Sequence, residues 1–194
     1  MTHILPSFLL TTDAKRKPDP LEDAALLSVG QGIVFRHYDV SDRWTLARTV
    51  SRIAKVRRLV LLIAADWRLA ASLNAQGVHL PEGVMRSGRI APILGWARRN
   101  KRLVTAACHT RLALGHAQKL RLSAALVSPV FATDSHPGAP CLGLIRFAAL
   151  CRSTPVPVYG LGGIRKNICV RTGAKGVSGT IPLKPNRRPG TNRA

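Results

Sequence analysis

The feature that most constrains this chain is an alternation. Short runs rich in leucine and β-branched residues are separated, along nearly the whole length, by stretches with helical periodicity. Predicted strands cover residues 7–11, 32–35, 59–63, 77–80, 103–107, 124–127, 156–159 and 176–178. Between them, helices are predicted over 21–29, 42–57, 67–76, 93–100, 110–120 and 143–151, with a short turn near 166–171. The clearest helix is 42–57, where Trp44, Ala47, Val50, Ile53 and Ala54 share one face and Ser41 is the expected N-cap. Strands that alternate with helices pair in parallel through right-handed crossovers, which makes the chain an α/β protein. An open doubly wound sheet meets the same pattern. Eight strands, with glycine loops after the seventh and eighth, favour a closed (β/α)8 TIM barrel.

Such barrels usually take about 250 residues, and this chain has 194. The barrel must be compact, with its last helix shortened or missing. Residues 1–183 are expected to form one domain, and 184–194, a basic segment broken by proline, a disordered tail. A seam without its final helix needs cover, so a homodimer is expected.

Composition narrows the class. Hydrophobic residues make up 46%, enough for a real core. The longest apolar run, 59–65, is too short to span a bilayer, and no basic residue precedes the apolar stretch near the start. A cytoplasmic protein with no membrane partner is expected. Cys108, Cys141, Cys151 and Cys169 show no metal-ligand spacing, so reduced thiols and no zinc are expected. The charge is unusual: 30 Lys and Arg against 9 Asp and Glu give +21. That balance favours polyanionic partners such as nucleic acid, an acidic membrane surface or small phosphates. Only nine aromatics accompany it, and no nucleic-acid signature is present. A solvated basic surface is the expectation, with specific nucleic-acid binding a lesser alternative.

Two segments carry chemistry. Val156-Pro157-Val158-Tyr159-Gly160-Leu161-Gly162-Gly163-Ile164 runs from a strand into three glycines, where the backbone can approach a ligand and its amides can receive a phosphate. Gly176-Val177-Ser178-Gly179-Thr180 follows on the next strand, the usual second half of a barrel phosphate site. The second segment, 128–140, holds three prolines, several hydroxyls and His136, and could grip an anion through Thr133, Ser135 and His136.

These stretches, with Gly77-Val78-His79-Leu80-Pro81 and Cys108-His109-Thr110, resemble the thiamine-phosphate synthase family and its TenI-type thiazole tautomerase relatives over roughly residues 7 to 181. The resemblance implies a (β/α)8 barrel, usually dimeric, that handles thiazole phosphate. The synthase joins it to a hydroxymethylpyrimidine diphosphate with magnesium assisting pyrophosphate departure. It places thiazole phosphate against Thr133, Asp134 and Ser135, the amides of Gly162 and Gly163, and Thr180 and Ile181. Arg36, in Val34-Phe35-Arg36-His37-Tyr38, matches the arginine of a Gln-Phe-Arg-Glu-Lys motif that meets the diphosphate.

Other positions depart from the pattern. Val34 and Tyr38 replace the glutamine and lysine. Asn-Asp-Asp reads Ala64-Ala65-Asp66, and the second magnesium aspartate falls near Val84, with Glu82 the nearest carboxylate. Magnesium requires hard oxygen ligands, so no metal site is assigned and no cofactor is certain. Ala107 replaces a serine, His136 a lysine, and Pro129 the tautomerase histidine. His109 and His136 are the proton-shuttle candidates. The leading reading is a thiamine-pathway barrel for thiazole phosphate or thiamine phosphate. A tautomerase, a non-enzymatic phosphate-ligand barrel and a basic nucleic-acid scaffold are the alternatives.

Overall fold

The computed structural model describes residues 4–87, 90–132, 140–164 and 166–180. Eight strands, β1 (Phe8–Thr11), β2 (Gly32–Phe35), β3 (Val60–Ala64), β4 (Gly77–Leu80), β5 (Leu103–Cys108), β6 (Ala124–Val127), β7 (Val158–Leu161) and β8 (Gly176–Gly179), pair in parallel in sequence order. β8 pairs back onto β1, Phe8 beside Val177 and Leu10 beside Gly179, which closes the barrel. The helices are α1 (Leu21–Leu26), α2 (Arg43–Val56), α3 (Trp67–Ser72), α4 (Glu82–Arg86), α5 (Ala91–Arg99), α6 (Arg111–Lys119), α7 (Gly143–Arg152) and α8 (Lys166–Thr172). The expected (β/α)8 architecture is the observed one. The segment after β8, including the expected tail, lies outside the described residues.

Strand alternation splits the core into two shells. Leu9, Val34, Leu62, Leu103, Leu126 and Tyr159 fill the barrel interior. Ile33, Phe35, Val78, Leu80 and Ala106 face outward onto Ala47, Val50, Trp96 and Phe147 of the helices. Gly176 makes room for the bulkiest interior group, since a Cβ there would sit 2.3 Å from the Ser7 carbonyl oxygen and 2.9 Å from the Tyr159 ring. Near the C-terminal ends of the strands the interior turns polar. Thr11 and Ser178 share a 2.6 Å hydrogen bond there.

Among the described residues, three helix starts are capped by side chains. Asp42, Asp66 and Thr110 accept from the amides of Thr45, Leu69 and Ala113 at 2.9, 2.9 and 3.1 Å, each contributing about 1 kcal/mol. The cap of α2 is therefore Asp42, not Ser41, because only the residue directly before the helix can reach the amide three positions on. Trp44 also departs from expectation: it is 48% exposed, with the Arg48 guanidinium over its ring. Ala47, Val50, Ser51 and Ala54 form the buried stripe. α3 ends at Ser72 rather than 76, where Asn74 takes a left-handed φ of 54°. β7 starts two residues later than predicted, after Pro157, which has no amide to donate. The short helix α4 was not predicted.

Candidate active site

Every strand of a closed parallel barrel delivers its last residues to one mouth. There the structure gathers Arg36 from β2, Ala64–Asp66 from β3, His79 from β4, His109 from β5, Ser128 from β6, Gly162 and Gly163 from β7 and Thr180 from β8. Of the site residues expected from sequence, Arg36, His109, Gly162, Gly163 and Thr180 can be placed. Thr133, Asp134, Ser135, His136 and Ile181 lie outside the described residues.

The β7 loop has the shape of a ligand cradle. Gly162 and Gly163 both have left-handed φ, 94° and 62°. A Cβ on Gly163 would lie 2.9 Å from the Phe131 Cβ and 3.0 Å from the Ala132 carbonyl oxygen, so glycine is required twice over. The segment after β6 is pinned alongside: the amides of Val130 and Phe131 donate to the carbonyls of Leu161 and Gly162, each at 3.0 Å. Among the described residues neither glycine amide has an acceptor of its own.

His79 is a site residue that the sequence placed in a motif but gave no role. It is buried, and its Nδ1 shares a 2.9 Å hydrogen bond with Thr105 Oγ1, which also lies 3.5 Å from the Val78 carbonyl oxygen. Every sealed side-chain nitrogen or oxygen among the described residues has a partner. Among the described residues the His79 Nε2 has no hydrogen-bond partner. Burial pushes this imidazole down to about 3, and the charges of Arg36 and His109 push the same way. His79 is thus a neutral imidazole inside the barrel at ordinary pH.

His109 stands above it, exposed to solvent. Its Nδ1–H donates to the Ser128 carbonyl at 3.0 Å, with Ser128 Oγ 3.2 Å away. That bond sets the tautomer and leaves Nε2 as a base. The His109 amide donates at 2.7 Å to Glu82 Oε2.

The magnesium half of the expected site does not fit a metal. Asp66 caps α3 and also meets Arg43 at 3.4 Å. Glu82 is held by the His109 amide and lies 3.9 Å from Arg86. Ala65 and Val84 supply no oxygen ligand. No group of three or more metal-ligating side chains occurs among the described residues.

The replaced diphosphate motif has become structural. His37 is buried and stacked on Phe35 at 5.2 Å. Its Nε2–H donates to the Pro18 carbonyl at 3.0 Å, and Nδ1 accepts from Thr12 Oγ1 at 2.9 Å. The same Thr12 oxygen accepts the Arg36 amide at 2.9 Å, which fixes the backbone of the one retained motif residue. Arg43 binds these loops together. It donates to the His37 and Ala64 carbonyls, both at 2.7 Å, and packs 5.7 Å over the Tyr38 ring. Nothing in its spacing marked it, because its three acceptors come from two other loops. A cavity of about 410 Å³ lies between the connection leaving β1 and the end of β8, lined by Leu10, Thr12, Arg16 and Thr180 among others.

Fold and site together define a (β/α)8 barrel with a glycine cradle after β7 and two histidines and an arginine at the mouth. The chain belongs to the thiamine monophosphate synthase family, whose sequence profile matches residues 10–181. A relative in Aquifex aeolicus is 30% identical over 188 residues, 90% of this chain and 96% of its own length. The thiamine-phosphate synthase of Herpetosiphon aurantiacus is 31% identical over 180 residues, covering 89% of this chain and 84% of its own. The solved thiamine phosphate pyrophosphorylase of Pyrococcus furiosus superposes with a TM-score of 0.68 at 22% identity, covering 89% of this chain and 84% of that one. FabK of Thermotoga maritima reaches 0.67 at 14% identity, covering 92% of this chain and 58% of that one. Superposition therefore speaks for the barrel alone, and the family rests on sequence.

Proposed function

We propose that this protein is a cytoplasmic, homodimeric barrel of thiamine biosynthesis that binds thiazole phosphate at the β7–β8 side of its mouth. The observation that carries the reading is the Gly162–Gly163 turn, left-handed at both residues and with no space for a Cβ at Gly163. It is the half of the family's site that this chain retains. The synthase step is expected to be slow. A departing pyrophosphate carries about three charges, and Arg36 stands here without the carboxylates that would hold magnesium. Arg36 orients the diphosphate as a bidentate donor, while the neutral His79 ring offers one polar nitrogen to the bound ligand.

Calorimetric titration with thiazole phosphate tests the binding. Saturation by wild type and about tenfold or greater weakening in Gly163→Ala are expected; no binding at millimolar ligand overturns the reading. Adding hydroxymethylpyrimidine diphosphate and magnesium then tests coupling, with thiamine phosphate lost in Arg36→Ala. A second reading, proton transfer on the thiazole, is supported by the free Nε2 of His109. Tautomerisation without the pyrimidine substrate, lost in His109→Gln and kept in Arg36→Ala, would select it.

A further inference from the structure

The acidic residues occupy one end of this barrel. All eight of those described lie in the connections leaving β1, β2, β3 and β4, or in the helical turn that follows. Because all strands are parallel, these connections share the mouth end. The opposite end, where helices hand back to strands, carries no described carboxylate. It carries Arg58, Lys101, Arg121, Arg152 and Lys175, all exposed. None of them has a carboxylate within ion-pair distance among the described residues.

Helix dipoles account for part of this, since cations favour helix C-termini. They do not account for residues past the helix end. Arg58, Lys101 and Arg121 sit there with left-handed φ of 54°, 52° and 53°. Glycine or asparagine suits that conformation better, and Asn74 and Gly173 fill the corresponding places after α3 and α8. Three long cations are held where the backbone does not favour them.

Beside them, the same end exposes aliphatic side chains: Ile4 by 82%, Leu26 by 66%, Val29 by 72% and Val56 by 83%. Two hydrogen bonds tie this apolar group to the arginines that end α2. The Gly30 amide donates to the Arg58 carbonyl at 3.2 Å, and the Arg57 guanidinium donates to the Leu27 carbonyl at 3.0 Å.

We propose that the N-terminal end of the barrel is a docking surface for an anionic lipid bilayer. Cations without carboxylates on the same end as exposed aliphatics match an interface of acidic headgroups over acyl chains. Nucleic acid fits less well, because the exposed aromatics that could stack on bases, Tyr38 and Trp44, are at the mouth end. A second copy of this face is repelled by like charge. Docked in this way, the protein presents its mouth to solvent and keeps substrate access.

Vesicle flotation of the full-length protein tests this. Binding to vesicles of phosphatidylcholine with phosphatidylglycerol is expected, with none to pure phosphatidylcholine and release at high salt. Each cation near an acidic surface is worth roughly fivefold in partitioning. Combining Arg58→Glu, Lys101→Glu and Arg121→Glu should weaken binding at least about tenfold, with folding checked by circular dichroism. Arg111→Glu, at the mouth end, should have little effect. In Val29→Trp, the new fluorescence should shift to the blue on anionic vesicles only. Absence of vesicle binding, or binding to duplex RNA or DNA without vesicle binding, overturns the proposal. So does loss of binding on reversing Arg187 and Arg188 while the triple variant still binds.

Discussion

At Ala65 the backbone takes a φ of 61°, a left-handed conformation that costs an alanine about 1 kcal/mol or more and that asparagine, aspartate or glycine adopts more readily. The family resemblance places a magnesium aspartate at this position, and the alanine found here has no oxygen to offer an ion. His79, by contrast, is held by its surroundings in a single charge state. Its ordinary value is 6.5 and its folded value is about 3. Between these values the unfolded chain binds a proton that the folded chain refuses. Stability from this group is therefore complete above 6.5 and is lost as pH falls toward 3. Between pH 7 and pH 4.5, wild type should lose roughly 2–3 kcal/mol more than His79→Gln. Urea denaturation at the two pH values checks this; equal losses would show that the imidazole is not shielded as the structure indicates.

Among the elements, α2 organises the mouth most. Its first residue, Arg43, spans the connections after β2 and β3 with two 2.7 Å bonds to carbonyls and one to Asp66. Arg43→Met should destabilise by roughly 1–3 kcal/mol, because two half-buried carbonyls lose their donor. Arg43→Lys should recover little, since one ammonium cannot span three acceptors held in two loops. Thermal and urea unfolding read both variants; full rescue by lysine would mean that charge alone matters. The elements also show how far sequence reached. Strands β2, β4 and β6 fall at their predicted residues, because short buried strands bounded by turns leave little freedom in register. α4 escaped prediction because five residues are too few to show a helical period.

For the whole molecule, the described carboxylates all lie at the mouth end, mixed there with cations such as Arg36, Arg43 and Arg111, while the far end carries cations without carboxylates among the described residues. The proposed homodimer must avoid that far end. Leu112, Leu144 and Ile145 are exposed on the first turns of the neighbouring helices α6 and α7, near the mouth, and offer an apolar contact clear of it. Light scattering across micromolar concentrations should give the mass of a dimer, and Ile145→Lys should shift it toward monomer. A constant monomer mass would remove the dimer from the reading.

Residue order determined the alternation of eight strands with helices and the glycine pair after β7, and, through the family resemblance, Ala65 and Val84 standing where magnesium carboxylates are expected. Each is a local pattern or a single residue type, visible without neighbours. Tertiary structure decided what the remaining polar groups do. Asp66 and Glu82 read as spare carboxylates until the fold brings Arg43 and the His109 amide to them. His79 reads as one more motif residue until the fold buries it beside Thr105 and holds it neutral. The +21 of the sequence is a sum. Only a closed parallel barrel, which sends every strand end to one side and every helix end to the other, turns that sum into two faces.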